Sequence, residues 1–260
     1  MNHMTTLHFE KEDAMKVVIF AAGLSTRLRP CTNVCPKPML PVAQQPMLLY
    51  IIEQLRDVGL REIIITTHYL PSVIRDSLGN GTFYGVSIRY AHEEKLMDTA
   101  GSLRCILDEC NEEILAVGGN DYLPNLDIHA LVNFHRMKRG VGTIAFAVTH
   151  PPHDPKHFGQ GVLDEDARLQ DFAEKPEQFL SSLLHTTYQI YNPVVKEFIP
   201  EGVPCSIPRD LIPALLRAQM PVYGFVAPAP FLCISTKEEY AWTCAIMEKT
   251  MLPIGGPHDH

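Results

Sequence analysis

The stretch that decides the fold is residues 16–30, KVVIFAAGLSTRLRP. Its first seven residues are mostly apolar and rich in β-branched side chains, and such a run ending at a glycine predicts a buried strand. Small and polar residues follow at once, together with Arg27 and Arg29. Open α/β sheets bind their ligands where the carboxyl end of a strand opens into a loop of this kind. The stretch therefore predicts both the first strand of a parallel sheet and a binding loop.

Strand-like and helix-like segments alternate outward from this point up to about residue 150. Apolar runs predict strands at 62–67, 86–90, 114–117 and 142–148. Apolar residues at helical spacing predict helices at 46–58, 71–78, 100–108 and 128–138. Alternation at this pitch is typical of parallel βαβ units. We expect an α/β fold with a Rossmann-like, doubly wound, mixed but mostly parallel sheet flanked by helices.

The pattern changes after about residue 150. Short strand-like pieces at 161–164, 169–173 and 186–191 precede a helical pattern at 209–218 and a strand-like run at 222–226. This half is expected to continue the sheet as a small antiparallel subdomain. We expect one domain over residues 15–250, with a flexible N-terminal extension at 1–14 and a C-terminal tail at 251–260.

Composition and charge narrow the class of protein. The 260 residues are 46% hydrophobic and 20% charged, which is enough apolar material for a full core and argues against general disorder. The net charge of −8 argues against a nucleic-acid or membrane-surface protein, which would need a basic face. The seven cysteines show no zinc-site spacing and no apolar run reaches 18 residues. We expect reduced thiols in a soluble, cytoplasmic protein.

The loop after the first strand has the chemistry of a phosphate site. Small residues let the backbone approach a base or a phosphate, and hydroxyl residues add donors. These candidate nucleotide-binding residues are Ala21, Ala22, Gly23, Ser25 and Thr26. Arg27 supplies a forked cation and Lys37 a point charge. The segment matches neither the Walker A pattern nor G-x-G-x-x-G. The alternative is an ordinary strand-to-helix connection with surface cations.

Residues 23–32 (GLSTRLRPCT) and 36–42 (PKPMLPV) resemble the signature of the sugar-1-phosphate nucleotidyltransferases. The resemblance extends over about residues 15–245 and is to the short, single-domain members. It implies that an NTP and a sugar-1-phosphate give an NDP-sugar and pyrophosphate, with Mg²⁺ as cofactor. It also implies a nucleotide-binding half over 15–150 and a sugar-phosphate-binding half over 151–250. Relatives of this type often assemble into homo-oligomers.

The resemblance assigns residues to the nucleobase. Residues 97–103 (MDTAGSL) resemble the segment that lines the base, which places Thr99, Ala100 and Gly101 there and puts Asp98 where glycine is usual. Glu93 falls at the position that reads the base edge. A carboxylate only accepts hydrogen bonds and guanine offers two adjacent donors, so GTP is slightly favoured. The alternative for Glu93 is a solvated surface charge.

The resemblance also implies which residues bind the metal ion and which bind the sugar phosphate. Asp121 follows a predicted strand, where the family has its metal-binding aspartate; Mg²⁺ needs only one or two carboxylates beside phosphates. A helix N-cap is the alternative for this residue. The sugar-phosphate residues are implied to be Asn120, Phe158, Gly159, Glu174 and Lys175. The implied catalytic residues are Arg27, Lys37, Asp121 and Lys175.

The largest departure from the family lies in residues 231–240 (FLCISTKEEY), where Cys233 replaces a second metal-binding aspartate. A thiol is a soft ligand and a poor partner for Mg²⁺. Three explanations stay open: a metal held by Asp121, substrate oxygens and water; a replacement carboxylate from elsewhere; or a weak or inactive site.

Two other functions therefore stay open. One is a nucleotidyltransferase-like protein that binds nucleotide or sugar without turnover. The other is a cytidylyltransferase for a non-sugar phosphate or a phosphonate, because residues 187–191 (TYQIY) lack the asparagine and glycine of the family. Three histidines in a proline-rich stretch, His150, His153 and His157, match no helical pair of metal ligands, so we expect solvated loop side chains.

Overall fold

The computed structural model describes residues 15–228 and 230–251. The predicted extension at 1–14 and the tail beyond residue 251 lie outside the described residues. The strands are β1 (Lys16–Phe20), β2 (Pro41–Val42), β3 (Gln45–Pro46), β4 (Glu62–Thr67), β5 (Ser87–His92), β6 (Ile114–Gly118), β7 (Asp121–Tyr122), β8 (Gly142–Val148), β9 (Gly159–Leu163), β10 (Leu169–Glu174), β11 (Leu183–Tyr191), β12 (Val222–Ala227) and β13 (Leu232–Cys233). The helices are α1 (Met47–Asp57), α2 (Pro71–Leu78), α3 (Asp98–Cys110), α4 (Ile128–Lys138), α5 (Ile212–Arg217) and α6 (Lys237–Met251).

The first predicted strand lies at the centre of the parallel part of the sheet. β1 pairs in parallel with β4 and β6, and β4 pairs in parallel with β5. Val17 and Ile19 face one hydrophobic core while Val18 faces the other. The buried residues of α1 and α4 belong to the first core, and those of α3 and α5 to the second. Both faces of the sheet are therefore covered by helices, which is why β1 reads as a continuous apolar run.

The second half of the chain extends the same sheet. β11 pairs antiparallel with β6, β8 and β9, and β9 pairs antiparallel with β10. β12 closes the arrangement by pairing in parallel with β8. The nine-stranded sheet is thus parallel around β1 and mostly antiparallel around β11. The predicted α/β class, a mixed sheet flanked by helices with antiparallel pieces in the second half, is confirmed. The functional division of the chain at about residue 150 stays a proposal.

The structure departs from the sequence prediction at several elements. The helix expected at 209–218 is a π-helical turn, Ile207–Leu211, followed by the short α5. Pro208 and Pro213 lack the N–H that an uninterrupted helix would use. The long α6 was not predicted, nor were the ribbons β2–β3 and β7–β13, because two-residue strands leave no periodic signal. In the described part of the chain, no helix has both the length and the apolar composition of a membrane span.

Candidate active site

The main chain that leaves β1 opens into a cleft. Ala21 N–H donates to the Thr66 hydroxyl at the end of β4 (3.2 Å), which fixes the start of the loop. Gly23 is exposed, and a methyl group added there would meet nothing within 4 Å. The Thr32 hydroxyl donates to the Ser25 carbonyl (2.7 Å), and Ser25 has φ +55°. The loop therefore turns back on itself and leaves its glycine approachable by a ligand.

Two pockets open beside this loop, and Arg27 and Lys37 line both of them. The loop pocket contains the predicted residues Ala21, Gly23, Ser25, Thr26 and Asn120. The other, here the Lys175 pocket, contains the predicted residues Thr99, Asn120, Asp121, Phe158, Gly159, Glu174 and Lys175. Ala22 is buried and lies outside the lining of both pockets. The structure thus gathers most residues implied by the loop and by the sugar-phosphate assignment around two shared cations.

Asp121 is the buried acid of the cleft. It is 6% exposed, and the Asn120 amide donates to its Oδ1 at 2.6 Å. Burial raises the pKa of Asp121 to about 6, and the Lys37 ammonium opposes that rise. Burial lowers the pKa of Lys37, and Asp121 opposes that fall. The Asp121 carboxylate and the Lys37 ammonium therefore each stabilise the charged form of the other. The helix N-cap is not Asp121 but Asp127, whose Oδ1 accepts the Ala130 N–H (2.9 Å).

Cys233 lies directly opposite Asp121. The two residues are partners in the antiparallel pair of β13 with β7. Cys233 is fully buried, and burial raises the pKa of its thiol well above its usual range, with Asp121 and Glu239 adding to the rise. A protonated thiol is a poor ligand for a hard ion. Asp121 is therefore the hard ligand that this edge of the cleft offers to an Mg²⁺-like ion.

The Lys175 pocket is tightly packed at its glycine. A methyl group added to Gly159 would meet Phe172 Cζ at 2.6 Å and Glu174 Oε2 at 3.0 Å. The Glu174 carboxylate is also 3.1 Å from the Lys175 ammonium, with the lysine about half exposed. Glycine fits here because side chains of β10 and β11 already fill the space that a methyl group would occupy. The arrangement presents a carboxylate and a cation side by side at the cleft.

Two side chains of this pocket were missed by the sequence analysis. His185 is 8% exposed, its Nε2 has no hydrogen-bond partner, and burial lowers its pKa. Arg209 pairs with Asp98 at 2.5 Å, and both line the Lys175 pocket. A histidine inside a strand and an arginine after a proline carry no sequence signal of their own. Asp98 has φ +57°, a conformation that glycine adopts freely and aspartate tolerates.

The residues predicted to contact the nucleobase are less well placed. Both carboxylate oxygens of Glu93 accept hydrogen bonds within the protein, from the Met97 N–H (2.9 Å) and the Ser102 hydroxyl (2.6 Å). The N–H groups of Ala100 and Gly101 both donate to a backbone carbonyl, that of residue 205. Of this set, only Thr99 lines either pocket. The base-reading role of Glu93 stays a prediction, and these contacts show that its carboxylate also holds the start of α3.

One of the three loop histidines is not solvated. His153 is 4% exposed, and its Nε2 lies 2.7 Å from the Phe231 carbonyl oxygen. The prediction of solvated side chains is therefore wrong for His153, because the loop folds inward against Phe231 and Trp242. His150 is half-buried, while His157 is exposed at the rim of the Lys175 pocket.

A Rossmann-like sheet whose first strand opens into a loop beside two cations places the cleft where open α/β sheets bind their ligands. The family model described as "Nucleotidyl transferase" matches residues 16–231, and the chain belongs to that family. It is 30% identical to a mannose-1-phosphate guanylyltransferase of Mycobacterium tuberculosis, over 91% of this chain and 65% of the relative. It is 33% identical to a UTP–glucose-1-phosphate uridylyltransferase of Synechocystis, over 81% of this chain and 57% of the relative. The chain thus spans less than two thirds of the length of either relative.

A solved structure shares the fold. A protein from Bacillus anthracis, described as a candidate glucose-1-phosphate thymidylyltransferase, superposes with a TM-score of 0.80 at 24% identity. The match covers 90% of this chain and 95% of that one. At this identity the match establishes the fold alone.

Proposed function

We propose that the protein transfers a nucleotidyl group from an NTP to a sugar-1-phosphate, giving an NDP-sugar and pyrophosphate. The observation that carries this proposal is the position of Arg27 and Lys37, which line both the loop pocket and the Lys175 pocket. Two cations at this junction match a reaction in which two phosphate groups must meet. The names of the relatives point to the same substrate classes.

In the proposed mechanism the protein positions and neutralises charge. The phosphate oxygen of the sugar-1-phosphate is already an anion, so it attacks the α-phosphorus without a general base. Arg27 and the loop N–H groups stabilise the departing pyrophosphate. Lys37 and Lys175 hold the two phosphates together against their repulsion. The Glu174 carboxylate, beside Lys175, accepts hydrogen bonds from sugar hydroxyls.

A divalent ion fits this site through one protein ligand. Asp121 offers the hard carboxylate oxygen that Mg²⁺ prefers, whereas the buried Cys233 thiol opposite does not. One carboxylate suffices for an ion that substrate phosphates also bind. When bound, Mg²⁺ would neutralise the phosphates that Arg27 and Lys37 orient. GTP is the first nucleotide to test, because a guanylyltransferase matches 91% of this chain.

A second function is favoured by Cys233. A family member whose second carboxylate position holds a thiol would bind nucleotide without turnover if one hard ligand were insufficient. A third candidate function is that of a cytidylyltransferase for a non-sugar phosphate or a phosphonate. It is supported by Thr187 and Gln189, which line the Lys175 pocket in the segment that lacks the asparagine and glycine of the family.

Pyrophosphate release from the purified full-length protein tests these functions. The assay uses Mg²⁺, four NTPs and a panel of sugar-1-phosphates and phosphonates, with Cys233→Asp alongside. Turnover with one NTP and one sugar-1-phosphate is the expected result. Turnover only in Cys233→Asp would favour the binding protein, and turnover with CTP and a non-sugar acceptor would favour the third candidate function. If neither the native protein nor Cys233→Asp released pyrophosphate while both still bound nucleotide, the proposed reaction would be overturned.

A further inference from the structure

We propose that His153, Cys233 and Glu239 form a buried site for a zinc-like transition-metal ion, behind the substrate cleft and separate from the ion expected on Asp121. We call these three residues the buried triad. They come from three segments: the loop before β9, strand β13 and the first turn of α6. Their exposed fractions are 4%, 0% and 2%. The inference does not depend on turnover, since it concerns metal binding by the chain itself.

The ligand atoms of the buried triad are already close to metal-binding separations. Each residue offers one atom, and the three atoms all lie within 4.8 Å of one another. His153 Nδ1 is 3.5 Å from Glu239 Oε1 and 3.9 Å from Cys233 Sγ. Ligands bound to a tetrahedral zinc at its usual bond lengths lie about 3.3–3.7 Å apart. A small inward shift of the sulfur therefore completes the geometry.

The hydrogen bond of His153 leaves the correct nitrogen available. Its Nε2 lies 2.7 Å from the Phe231 carbonyl oxygen. A carbonyl only accepts, so Nε2 carries a proton, and in the neutral form of the ring the lone pair is on Nδ1. A ring N–H held by a backbone carbonyl is the usual outer support of a metal-ligating histidine. Aromatic rings of Phe158, Phe231 and Trp242 surround the imidazole and fix its orientation.

Glu239 directs one carboxylate oxygen into the buried triad. Its Oε2 accepts the Thr236 N–H (2.9 Å), and its own N–H donates to the Thr236 hydroxyl (3.2 Å), which is a capping box at the start of α6. Its Oε1 is buried and has no hydrogen-bond partner. A buried carboxylate oxygen without a partner is costly. It is 3.5 Å from His153 Nδ1, so it faces the other members of the buried triad.

Charge and ligand softness select the class of ion. The Cys233 thiol is protonated without an ion, and a bound zinc ion would displace its proton to solvent. The thiolate and the carboxylate would then carry two negative charges beside a neutral imidazole, and one divalent ion neutralises them in a buried site. Thiolate and imidazole are ligands of zinc rather than of Mg²⁺. Three protein ligands leave a fourth tetrahedral position for water. The bound ion would tie three remote segments together behind Asp121, the strand partner of Cys233.

The competing explanation is a buried ion pair between a protonated His153 and Glu239. Charge-assisted N–H···O bonds are about 2.7–2.9 Å long. The 3.5 Å separation here exceeds that length. In the ion-pair explanation the Cys233 thiol is only a weak hydrogen-bond partner, 3.9 Å from His153 Nδ1. The two explanations differ in one measurable property, because only the buried triad with a thiolate binds zinc.

Metal binding by the full-length protein tests the proposal. The protein is dialysed against Zn²⁺ with excess Mg²⁺, and the zinc retained per chain is measured. We expect one Zn²⁺ per chain. Titration with Co²⁺ should give the near-ultraviolet thiolate-to-cobalt band and the intense visible bands of a tetrahedral site. This readout needs no variant, so a folding defect cannot obscure it.

Variants locate the ion. Cys233→Ser should remove the thiolate band and weaken Zn²⁺ binding at least tenfold, and Glu239→Gln should weaken binding while keeping the band. Cys31→Ser with Cys35→Ser is the matched control, because these thiols lie outside the buried triad, and it should change neither readout. Zinc should also raise the thermal midpoint of the native protein but not of Cys233→Ser. Absence of zinc retention by the native protein, or a cobalt band that survives Cys233→Ser, would overturn the proposal.

Discussion

The loop pocket and the Lys175 pocket meet at Arg27 and Lys37, yet they are built in opposite ways. The loop pocket is made mainly of residues adjacent in sequence, with an exposed Arg27, a partly buried Lys37 and open space around Gly23. The Lys175 pocket is assembled from β9, β10 and β11, with buried polar side chains and no room at Gly159. The difference indicates that ligand binding in the loop pocket depends mainly on charge. In the Lys175 pocket it depends on both charge and packing.

Replacing Arg27 by alanine is the largest expected perturbation. We expect turnover to fall about 10²–10³-fold, because a group that stabilises charge in the transition state is lost. The thermal midpoint should not change, since the side chain is exposed. Arg29→Ala is the matched control: it is exposed in the same loop but lies outside the lining of both pockets. Equal losses in both variants, measured by pyrophosphate release, would remove Arg27 from the mechanism.

Lys175→Ala tests whether the second pocket also depends on charge. We expect KM for the sugar-1-phosphate to rise about 10- to 100-fold, because a charge-assisted contact of about 1.5–3 kcal/mol is lost. KM for the NTP should change little. Lys156→Ala, an exposed lysine just before β9, should leave both constants unchanged. A rise only in KM for the NTP would show that Lys175 contacts the NTP rather than the sugar-1-phosphate.

Gly159→Ala against Gly23→Ala separates packing from charge. The first change forces a methyl group against Phe172 Cζ and Glu174 Oε2 and should cost about 1–3 kcal/mol in the free energy of unfolding. The second meets open space and should stay within about 0.5 kcal/mol. Denaturant unfolding of both variants measures the difference. Similar values for the two glycines would contradict the contrast drawn between the pockets.

The pH dependence of stability provides the smallest expected effect. Burial lowers the pKa of His185, so below about pH 6.5 the unfolded state binds a proton that the folded state does not. The contribution of His185 to stability should therefore fall as the pH falls from 6.5, by at most about 1.4 kcal/mol per pH unit. The raised pKa of Asp121 acts in the opposite direction over the same range, so the comparison is between the native protein and a His185 variant. His185→Gln should flatten that slope. An unchanged slope between pH 6.5 and 5 would show that His185 titrates alike in both states.

The sequence predicted the periodic elements well. Residues 62–67, 71–78, 128–138 and 142–148 were assigned with the boundaries that β4, α2, α4 and β8 have. These elements have a clear apolar period, because each buries one face or both faces in a core. Helix α6 was not predicted because its apolar residues do not lie along one face of the helix. The π-helical turn at 207–211 was not predicted because two prolines change the hydrogen bonding of an otherwise helical pattern.

The candidate site was predictable where its residues lie in short motifs, including the remote pairs Phe158–Gly159 and Glu174–Lys175 that line one pocket with Arg27 and Lys37. The loop from Ala21 to Lys37 carries its chemistry in a short stretch, so its motif was readable. The buried triad joins residues 153, 233 and 239, and no spacing rule connects a proline-rich loop with a strand and a helix start. Two signals pointed in its direction: cysteine at an aspartate position, and Thr236 three residues before Glu239.

The pairing of β8 sets an order of events during synthesis. β8 precedes residue 150, but its strand partners are β11 and β12, which end at residues 191 and 227. A nascent chain that has just passed residue 150 therefore carries a hydrophobic strand whose neighbours have not been translated. Unpaired strands of this kind are sites of aggregation and of chaperone contact. Gly142–Val148 gains its first strand partner about forty codons later, when β11 is complete, and its second about eighty codons later, with β12. The amino-terminal half therefore cannot complete its sheet on the ribosome by itself.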